Sequence, residues 1–335
     1  MPRRLPHPAA GRNLAAPTGP AAAGQAGRAA QRALQARRQP TITEYSTPTS
    51  GAGPAGVTTG PDGNLWFTEY DANQVGRLTP SGGFTEYTLP TSSSYPGEIT
   101  TGPDGNLWFT ESNSGQIAKM TTSGTITEYA LPSSTAGPWS IVTGPDGNLW
   151  FTESNTNKIG KITTSGTITE YTLPTSGAYA LYITVGPDNA LWFTEPAPGN
   201  IGRITTSGTI TETAAPGSGT GNALPIGITV GPDNNLWFTD SGIGTVNSLT
   251  TGGTFTSYTL SDVNAGPYDI TTGPDGNLWF TETYDNNLAS TTTSGTINEY
   301  ALPTSSAYPI NVTNGPNSSL WLSENLVDKI TQATP

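Results

Sequence analysis

One tripeptide recurs along this chain at an almost fixed interval and constrains its fold more than any other feature. Six copies read Leu-Trp-Phe and a seventh reads Leu-Trp-Leu. The intervals between their tryptophans are 42, 42, 42, 45, 42 and 42 residues. A period near 40 residues with several short strands in each unit is typical of propeller blades. The seven tryptophans are Trp66, Trp108, Trp150, Trp192, Trp237, Trp279 and Trp321.

The third repeat shows how one unit is built. Residues 140–143 predict a short strand, and Gly-Pro-Asp-Gly at 144–147 predicts a tight turn, because proline presets one backbone angle and glycine accepts a left-handed one. Strands are expected at 148–153, 158–163 and 167–171. Seven such units predict an all-β fold, a seven-bladed β-propeller of four-stranded antiparallel blades.

The two ends of the repeat region predict how the ring closes. The last copy stops after three strands, whereas Thr-Ile-Thr-Glu-Tyr at 41–45 repeats residues 125–129 and 167–171 letter for letter. We therefore expect the N-terminal strand to complete the last blade, which removes two open sheet edges.

Charge divides the chain into two parts. Residues 1–40 hold seven arginines and no acid, are rich in alanine and proline, and are expected to be a disordered basic tail. Residues 41–335, the expected propeller, hold six basic and 25 acidic residues, a net charge of −19. This acidic surface argues against nucleic-acid binding. No signal peptide or apolar stretch long enough to span a membrane is recognisable, and a monomer is expected, while the compartment, cytoplasmic or secreted, stays open.

Hairpin geometry predicts which residues meet at the mouth of the ring. The start of each first strand and the end of each second strand lie on the same face, opposite the Gly-Pro-Asp-Gly turns. This face gathers the acids that end the second strands, namely Glu69, Glu111, Glu153, Glu195, Asp240, Glu282 and Glu324. Seven carboxylates around one opening suit a hard cation. Alternatively, an acid present in every blade hydrogen-bonds a neighbouring turn in every blade.

The positions at which the repeats differ carry more information about function. Two residues follow the inner proline of each blade, or Ala180 in the fourth blade, and alternation along a strand predicts that only one of them faces the mouth. These pairs are Ala55-Gly56, Gly97-Glu98, Trp139-Ser140, Leu181-Tyr182, Ile226-Gly227, Tyr268-Asp269 and Ile310-Asn311. Trp139, Tyr182 and Tyr268 predict an aromatic lining for a ring or sugar, or else packing between blades. Among acids, Glu98, Asp269 and Glu282 are candidates, with Tyr284-Asp285 on the adjacent loop.

The repeat resembles that of the virginiamycin B lyase family. The likeness covers residues 41–331 and is carried by Gly-Ile-Thr-x-Gly-Pro-Asp-x-x-Leu-Trp-Phe-Thr, by Ile-Gly-Arg-Ile-Thr at 201–205, and by Gly-Thr-Ile-Thr-Glu-Tyr-Thr-Leu-Pro at 166–174. The resemblance implies a seven-bladed propeller and, for the family's named enzyme, magnesium-dependent elimination at the ester bond of streptogramin B antibiotics.

The resemblance also implies where the family's catalytic groups would lie. Its histidines, placed after the inner prolines of the last two blades, match Tyr268 and Ile310. One family glutamate matches Glu324, and a second, before the last inner proline, is replaced by Tyr308. The only histidine of the chain is His7.

Two hypotheses follow. The first is a propeller without the family's catalytic histidines that binds a small molecule, a glycan or a protein at its mouth, through Trp139, Tyr182, Tyr284, Asn311, Tyr308 and Glu98. The alternative is a carbon–oxygen lyase that opens streptogramin-like depsipeptides or another lactone with Mg²⁺ and a non-histidine base. Its catalytic candidates are Glu324, Glu282, Tyr268 and Asp269, with Glu282 and Glu324 as metal ligands.

Overall fold

The computed structural model describes residues 39–335. Residues 1–38 of the expected tail lie outside the described residues. The 28 strands of residues 39–335 form seven separate four-stranded antiparallel sheets. Each sheet runs in sequence order from an inner strand to an outer one, except the last. The predicted fold class is therefore confirmed. No helix in the described part of the chain is long and apolar enough to cross a membrane.

The first six blades are continuous in sequence. Blade 1 holds β2 (Pro54–Thr59), β3 (Leu65–Glu69), β4 (Gln74–Leu78) and β5 (Phe84–Thr88). Blade 2 holds β6 (Pro96–Thr101), β7 (Leu107–Glu111), β8 (Gln116–Met120) and β9 (Ile126–Ala130). Blade 3 holds β10 (Pro138–Thr143), β11 (Leu149–Glu153), β12 (Lys158–Ile162) and β13 (Ile168–Thr172). Blade 4 holds β14 (Ile183–Val185), β15 (Leu191–Glu195), β16 (Asn200–Ile204) and β17 (Ile210–Ala214).

The remaining blades follow the same plan. Blade 5 holds β18 (Pro225–Val230), β19 (Leu236–Asp240), β20 (Thr245–Leu249) and β21 (Phe255–Thr259). Blade 6 holds β22 (Pro267–Thr272), β23 (Leu278–Glu282), β24 (Asn287–Thr291) and β25 (Ile297–Ala301). Blade 7 holds β26 (Pro309–Gly315), β27 (Ser319–Glu324), β28 (Lys329–Thr334) and β1 (Thr41–Ser46). Short 3₁₀ turns lie at Ser218–Thr220, Pro316–Ser318 and Asn325–Val327.

The closure predicted from the repeated pentapeptide is present. Strand β1 pairs antiparallel with β28, with Thr41 opposite Thr334 and Tyr45 opposite Ile330. The carboxylate of Glu44 accepts hydrogen bonds from the backbone and hydroxyl of Thr304, at 2.8 and 2.6 Å, and pairs with Lys329. The N-terminal strand is therefore bound to both blade 7 and the loop that leads into it.

The second strands build the core between the blades. Side chains alternate along them, so Leu107 and Phe109 point to one face of blade 2, where they pack with Trp66 of blade 1. Trp66 is fully buried, and its indole nitrogen donates to Asp62 of the turn over 3.0 Å. Gly76 leaves room for the Phe67 ring, since a Cβ there would lie 2.1 Å from it. The turn aspartates thus also fix the core tryptophans.

Candidate functional site

The inner strands are bulged where the site residues lie. In blade 1, Pro54 is opposite Glu69 and Val57 is opposite Phe67, so two residues of β2 oppose the single Thr68 of β3. Register shifts at the same point occur in blades 2, 3, 5, 6 and 7. The simple alternation expected after each inner proline is therefore wrong, because a bulge re-aims the side chains on either side of it.

A hydroxyl opposite each bulge ties one blade to the next. Thr68 accepts a hydrogen bond from the Gly56 amide at 2.9 Å and donates to the Gly97 carbonyl of blade 2 at 2.5 Å. The donation recurs around the ring, and Ser323 of blade 7 completes it by donating to the Ala55 carbonyl at 2.6 Å. The other donors are Thr110, Thr152, Thr194, Thr239 and Thr281. These seven bonds fix the backbone of the six bulges and, in blade 4, that of Leu181, without using the side chains there.

A polar network joins three bulges at the centre of the ring. The side-chain amide nitrogen of Asn311 lies 2.9 Å from Oδ2 of Asp269 and 3.1 Å from both carboxyl oxygens of Glu98. The Tyr182 hydroxyl donates to Glu98 at 3.4 Å, and the Val312 amide donates to Asp269 at 3.0 Å. Asn311 in turn accepts from the Val57 amide at 3.1 Å. All four side chains are at most 9% exposed, so the network is a closed set of buried contacts.

Burial governs the charge of this network. It raises the pKa of Asp269 to about 7, and it raises the pKa of Glu98 well above the usual range, with the neighbouring Asp269 charge adding to the shift. No lysine or arginine contacts either carboxyl in residues 39–335. At neutral pH the pair therefore retains at least one proton, since two unpaired buried charges so close together are unfavourable.

Tyr182 and Tyr268 lie beside the network. Their rings meet edge to face with centroids 6.0 Å apart. Burial raises the pKa of both hydroxyls well above their ordinary value. Both are therefore neutral phenols, which donate hydrogen bonds rather than accept protons.

An aromatic pocket of about 280 Å³ opens on the face where the first strands begin. Tyr70 and Tyr95 stack with centroids 4.9 Å apart, and Trp139 lies 6.2 Å from Tyr70 at 59°. Tyr179 and Leu181 also line it. The polar lining consists of Ser112, Asn113, Ser134, Thr135, Ser154 and Asn155. No charged residue lines this pocket.

Three tyrosines occupy a backbone conformation that suits glycine. The residue before the inner proline has φ of 58°, 61° and 66° at Gly53, Gly137 and Gly266. The equivalent residues Tyr95, Tyr179 and Tyr308 have φ of 52°, 58° and 57°. A bulky residue in the left-handed region is a strained exception, and such exceptions concentrate at functional sites. The signal was readable in sequence as tyrosine or glycine at this repeat position in six of the seven blades, with Leu224 in blade 5, but Tyr70, Tyr95 and Tyr179 were not among the candidates.

The candidates from sequence fall into four places. Glu98, Asp269, Asn311, Tyr182 and Tyr268 come together at the centre, and Trp139 lies in the pocket. Tyr284 is 49% exposed and its ring lies 6.2 Å from that of Tyr308, on the blade 6 to blade 7 side of the mouth.

Glu282 and Glu324 lie elsewhere, within their own blades. Glu282 accepts a hydrogen bond from Asn287 at 3.0 Å, and Glu324 accepts one from Thr331 at 2.7 Å. Both carboxyls are fully buried against the third strand, and burial raises the pKa of each to about 7. Within residues 39–335, no three acidic or histidine side chains are grouped to hold a metal ion. Magnesium binding at these glutamates stays a prediction.

Comparisons with known proteins agree on one family. Its profile, described as the Virginiamycin B lyase family, matches residues 40–333. The crystal structure of virginiamycin B lyase from Staphylococcus aureus is similar over 89% of this chain and 100% of its own, with 39% identity and a TM-score of 0.84. A catalytically inactive histidine-to-alanine variant of that enzyme, solved with quinupristin, gives 38% identity over the same shares and also a TM-score of 0.84. A curated virginiamycin B lyase of Bacillus licheniformis matches locally, with 46% identity over 41 residues, 12% of this chain and 14% of that protein.

Proposed function

The chain belongs to the virginiamycin B lyase family, and we propose that it is a member that binds a small ligand at the propeller mouth without histidine-dependent elimination. The observation that carries this proposal is the pair of residues at the positions that the resemblance assigns to histidines. Tyr268 and Ile310 stand there, and His7, outside the described residues, is the only histidine of the sequence.

The surroundings of these two residues support binding rather than catalysis. Tyr268 is 4% exposed and Ile310 is 3% exposed, and both pack in one apolar cluster with Leu181 and Ile226. A tyrosine with a raised pKa keeps its proton at neutral pH and does not abstract one from a substrate. Ile310 carries no ionisable group. Neither residue replaces an imidazole chemically.

The carboxylates give limited support for a magnesium-dependent reaction. Glu324 keeps the family's residue type, but its carboxyl is hydrogen-bonded inside blade 7, and Tyr308 stands where the resemblance places a second glutamate. Mg²⁺ is commonly held by one or two carboxylates together with water, and Glu282 and Glu324 would be those carboxylates; the binding function needs no step through the ion, and we route none through it.

The test is incubation of the full-length protein with quinupristin and Mg²⁺, followed by mass spectrometry for a linear product. The ligand is the one named with the S. aureus relative, and that enzyme is the positive control. We expect turnover to be absent or lower than that of the relative by at least about 10²-fold, the usual loss when a catalytic base is removed. Magnesium-dependent turnover comparable to the relative's, abolished by Glu324→Gln, would overturn the proposal.

A second candidate function rests on Asp269. A carboxyl with a pKa of about 7 has the strength of a general base at neutral pH, and it adjoins the Tyr268 position. In this alternative Asp269 accepts the proton during elimination from a depsipeptide or another lactone. Turnover that is lost in Asp269→Asn but retained in Glu324→Gln would favour this candidate over the binding function.

A further inference from the structure

The aromatic pocket beside the central network is built for a particular chemistry. Resting on the proposed binding function, we propose that it is a binding site for a neutral saccharide. Its walls are the stacked pair Tyr70 and Tyr95, together with Trp139 and Tyr179. Aromatic faces pack on the C–H surfaces of a sugar ring, while the surrounding amides and hydroxyls suit its hydroxyl groups.

The polar lining supplies both donors and acceptors on adjacent blades. Ser112 and Asn113 follow the second strand of blade 2, and Ser154 and Asn155 follow that of blade 3. Several of these side chains are held by backbone carbonyls of the mouth. Ser112 donates to Tyr95 at 2.9 Å, Asn113 to Ser93 at 2.8 Å, and Ser154 to Ala180 at 2.7 Å. The hydrogen-bonding groups are thus fixed in place before a ligand arrives, which reduces the entropy lost on binding.

Electrostatics select against charged ligands. The pocket has no lysine or arginine to pair with a phosphate or carboxylate, and the domain's charge of −19 repels anions. A cationic ligand is favoured by cages in which several rings face the charge. Here Tyr70 and Tyr95 face each other at 17°, so they present a stacked pair instead of a cage.

The volume of the pocket and the backbone strain of two of its tyrosines also favour a neutral saccharide. A volume of about 280 Å³ lies near the lower limit of roughly 300 Å³ for small-molecule pockets, which suits one or two sugar rings. Tyr95 and Tyr179 adopt a conformation in which glycine is strain-free. Tyrosine at both positions adds ring surface to this pocket at a cost to the backbone.

The experiment uses the full-length protein and saturation-transfer NMR. The probes are N-acetylglucosamine, maltose and methyl mannoside, with glucuronate as an anionic and choline as a cationic comparison. We expect saturation transfer to at least one neutral sugar and to neither charged probe. Binding of glucuronate or choline in preference to every neutral sugar, or no binding of any neutral sugar, would overturn the inference.

The variant Tyr179→Gly locates the site, since glycine suits the local φ of 58° and we therefore expect the fold to be retained. By calorimetry we expect the sugar's Kd to rise at least about tenfold, as for a lost stacking ring. Ser306→Gly makes a comparable backbone change at φ of 57° in the loop before blade 7 and should leave the Kd unchanged. An unchanged Kd in Tyr179→Gly would place the sugar elsewhere. Because the quinupristin assay is independent, failure of this inference leaves the proposed function standing.

Discussion

The side-chain amide nitrogen of Asn311 lies 2.9 Å from a carboxyl oxygen of Asp269, so blades 6 and 7 meet through a buried hydrogen bond at the centre of the ring. The same nitrogen contacts Glu98 of blade 2. One amide therefore supplies the donor for two carboxyls that have no cationic partner.

Replacing that donor by a third acid should be costly. We expect Asn311→Asp to destabilise the protein at pH 8 by about 3–5 kcal/mol, the usual effect of an uncompensated buried charge. At pH 5 the loss should be smaller, because the carboxyls can be protonated. Urea unfolding at both pH values measures it. Asn222→Asp, on an exposed loop, is the matched control and should change stability by less than about 0.5 kcal/mol.

Stability should fall as pH rises through the neutral range. Burial, and then a glutamate on the outer strand, raises the pKa of Glu69, Glu111 and Glu195 from 4.5 to about 8. Between these values the folded state retains protons that the unfolded chain releases, so each unit of pH lowers the free energy of unfolding. We expect Tm to be highest near pH 4.5 and at least about 5 °C lower at pH 8.

The variant Glu69→Gln carries no charge at any pH and should flatten this dependence. Asp285→Asn removes an exposed carboxyl and should leave the pH dependence of Tm unchanged. A Tm that rises between pH 5 and pH 8 would contradict the assignment of raised pKa values to the buried glutamates.

A lysine added at one repeat position should stabilise blade 2. Glu111 is opposite Gln116, whereas the equivalent pairs in blades 3 and 7 are Glu153–Lys158 and Glu324–Lys329. Lys158 forms an ion pair with Glu170 at 2.5 Å. We expect Gln116→Lys to raise the free energy of unfolding by up to about 1 kcal/mol at pH 8 and by much less at pH 4.5. Asn222→Lys adds the same charge on the surface and controls for it, and an equal gain in both variants would refute the pairing.

Removal of the closing strand should weaken the whole ring. A protein that begins at Thr47 loses the six-residue pairing with β28. It also loses the stacking of Tyr45 on Trp321, whose ring centroids are 5.7 Å apart. At about 0.5–1.5 kcal/mol for each lost hydrogen bond, we expect a loss of at least about 3 kcal/mol. Differential scanning calorimetry compares it with a protein that begins at Gln39, and identical Tm values would contradict this role of β1.

Introducing histidines at the two positions that the resemblance assigns to them tests whether their absence accounts for the expected lack of elimination. We expect Tyr268→His with Ile310→His to gain quinupristin opening, at a rate below that of the S. aureus relative because Tyr308 still replaces a glutamate. Adding Tyr308→Glu should raise the rate further. If the triple variant has the Tm of the unmodified protein and still gives no linear product, the mouth differs from that of the S. aureus relative at further positions as well.

The fold was predictable because its determinants are local and repeated. Tryptophan spacing, the Gly-Pro-Asp-Gly turns and the pentapeptide at 41–45 each recur within the chain, so the sequence indicates blade number and closure directly. The central network was predictable only as a set of repeat positions. Glu98 and Asn311 are 213 residues apart and meet only when the ring closes.

Other features of the site needed three-dimensional structure. Hairpin geometry placed Glu282 and Glu324 on the correct face, but it does not show that their carboxyls turn toward Asn287 and Thr331. The bulges were not expected either, because the residues that form them vary from Gly97-Glu98 to Ile226-Gly227. Their regular element is the threonine or serine on the facing strand.

Those threonine and serine hydroxyls also explain how such a protein can change its ligand. They bond only to the backbone amides and carbonyls of the bulges. These bonds between blades therefore do not depend on which side chain the bulge carries. Substitution at bulge positions outside the buried network of Glu98, Tyr182, Asp269 and Asn311 is thereby uncoupled from the integrity of the ring. These other bulge positions give an evolving lineage, or a protein engineer, sites at the mouth that can be substituted one blade at a time.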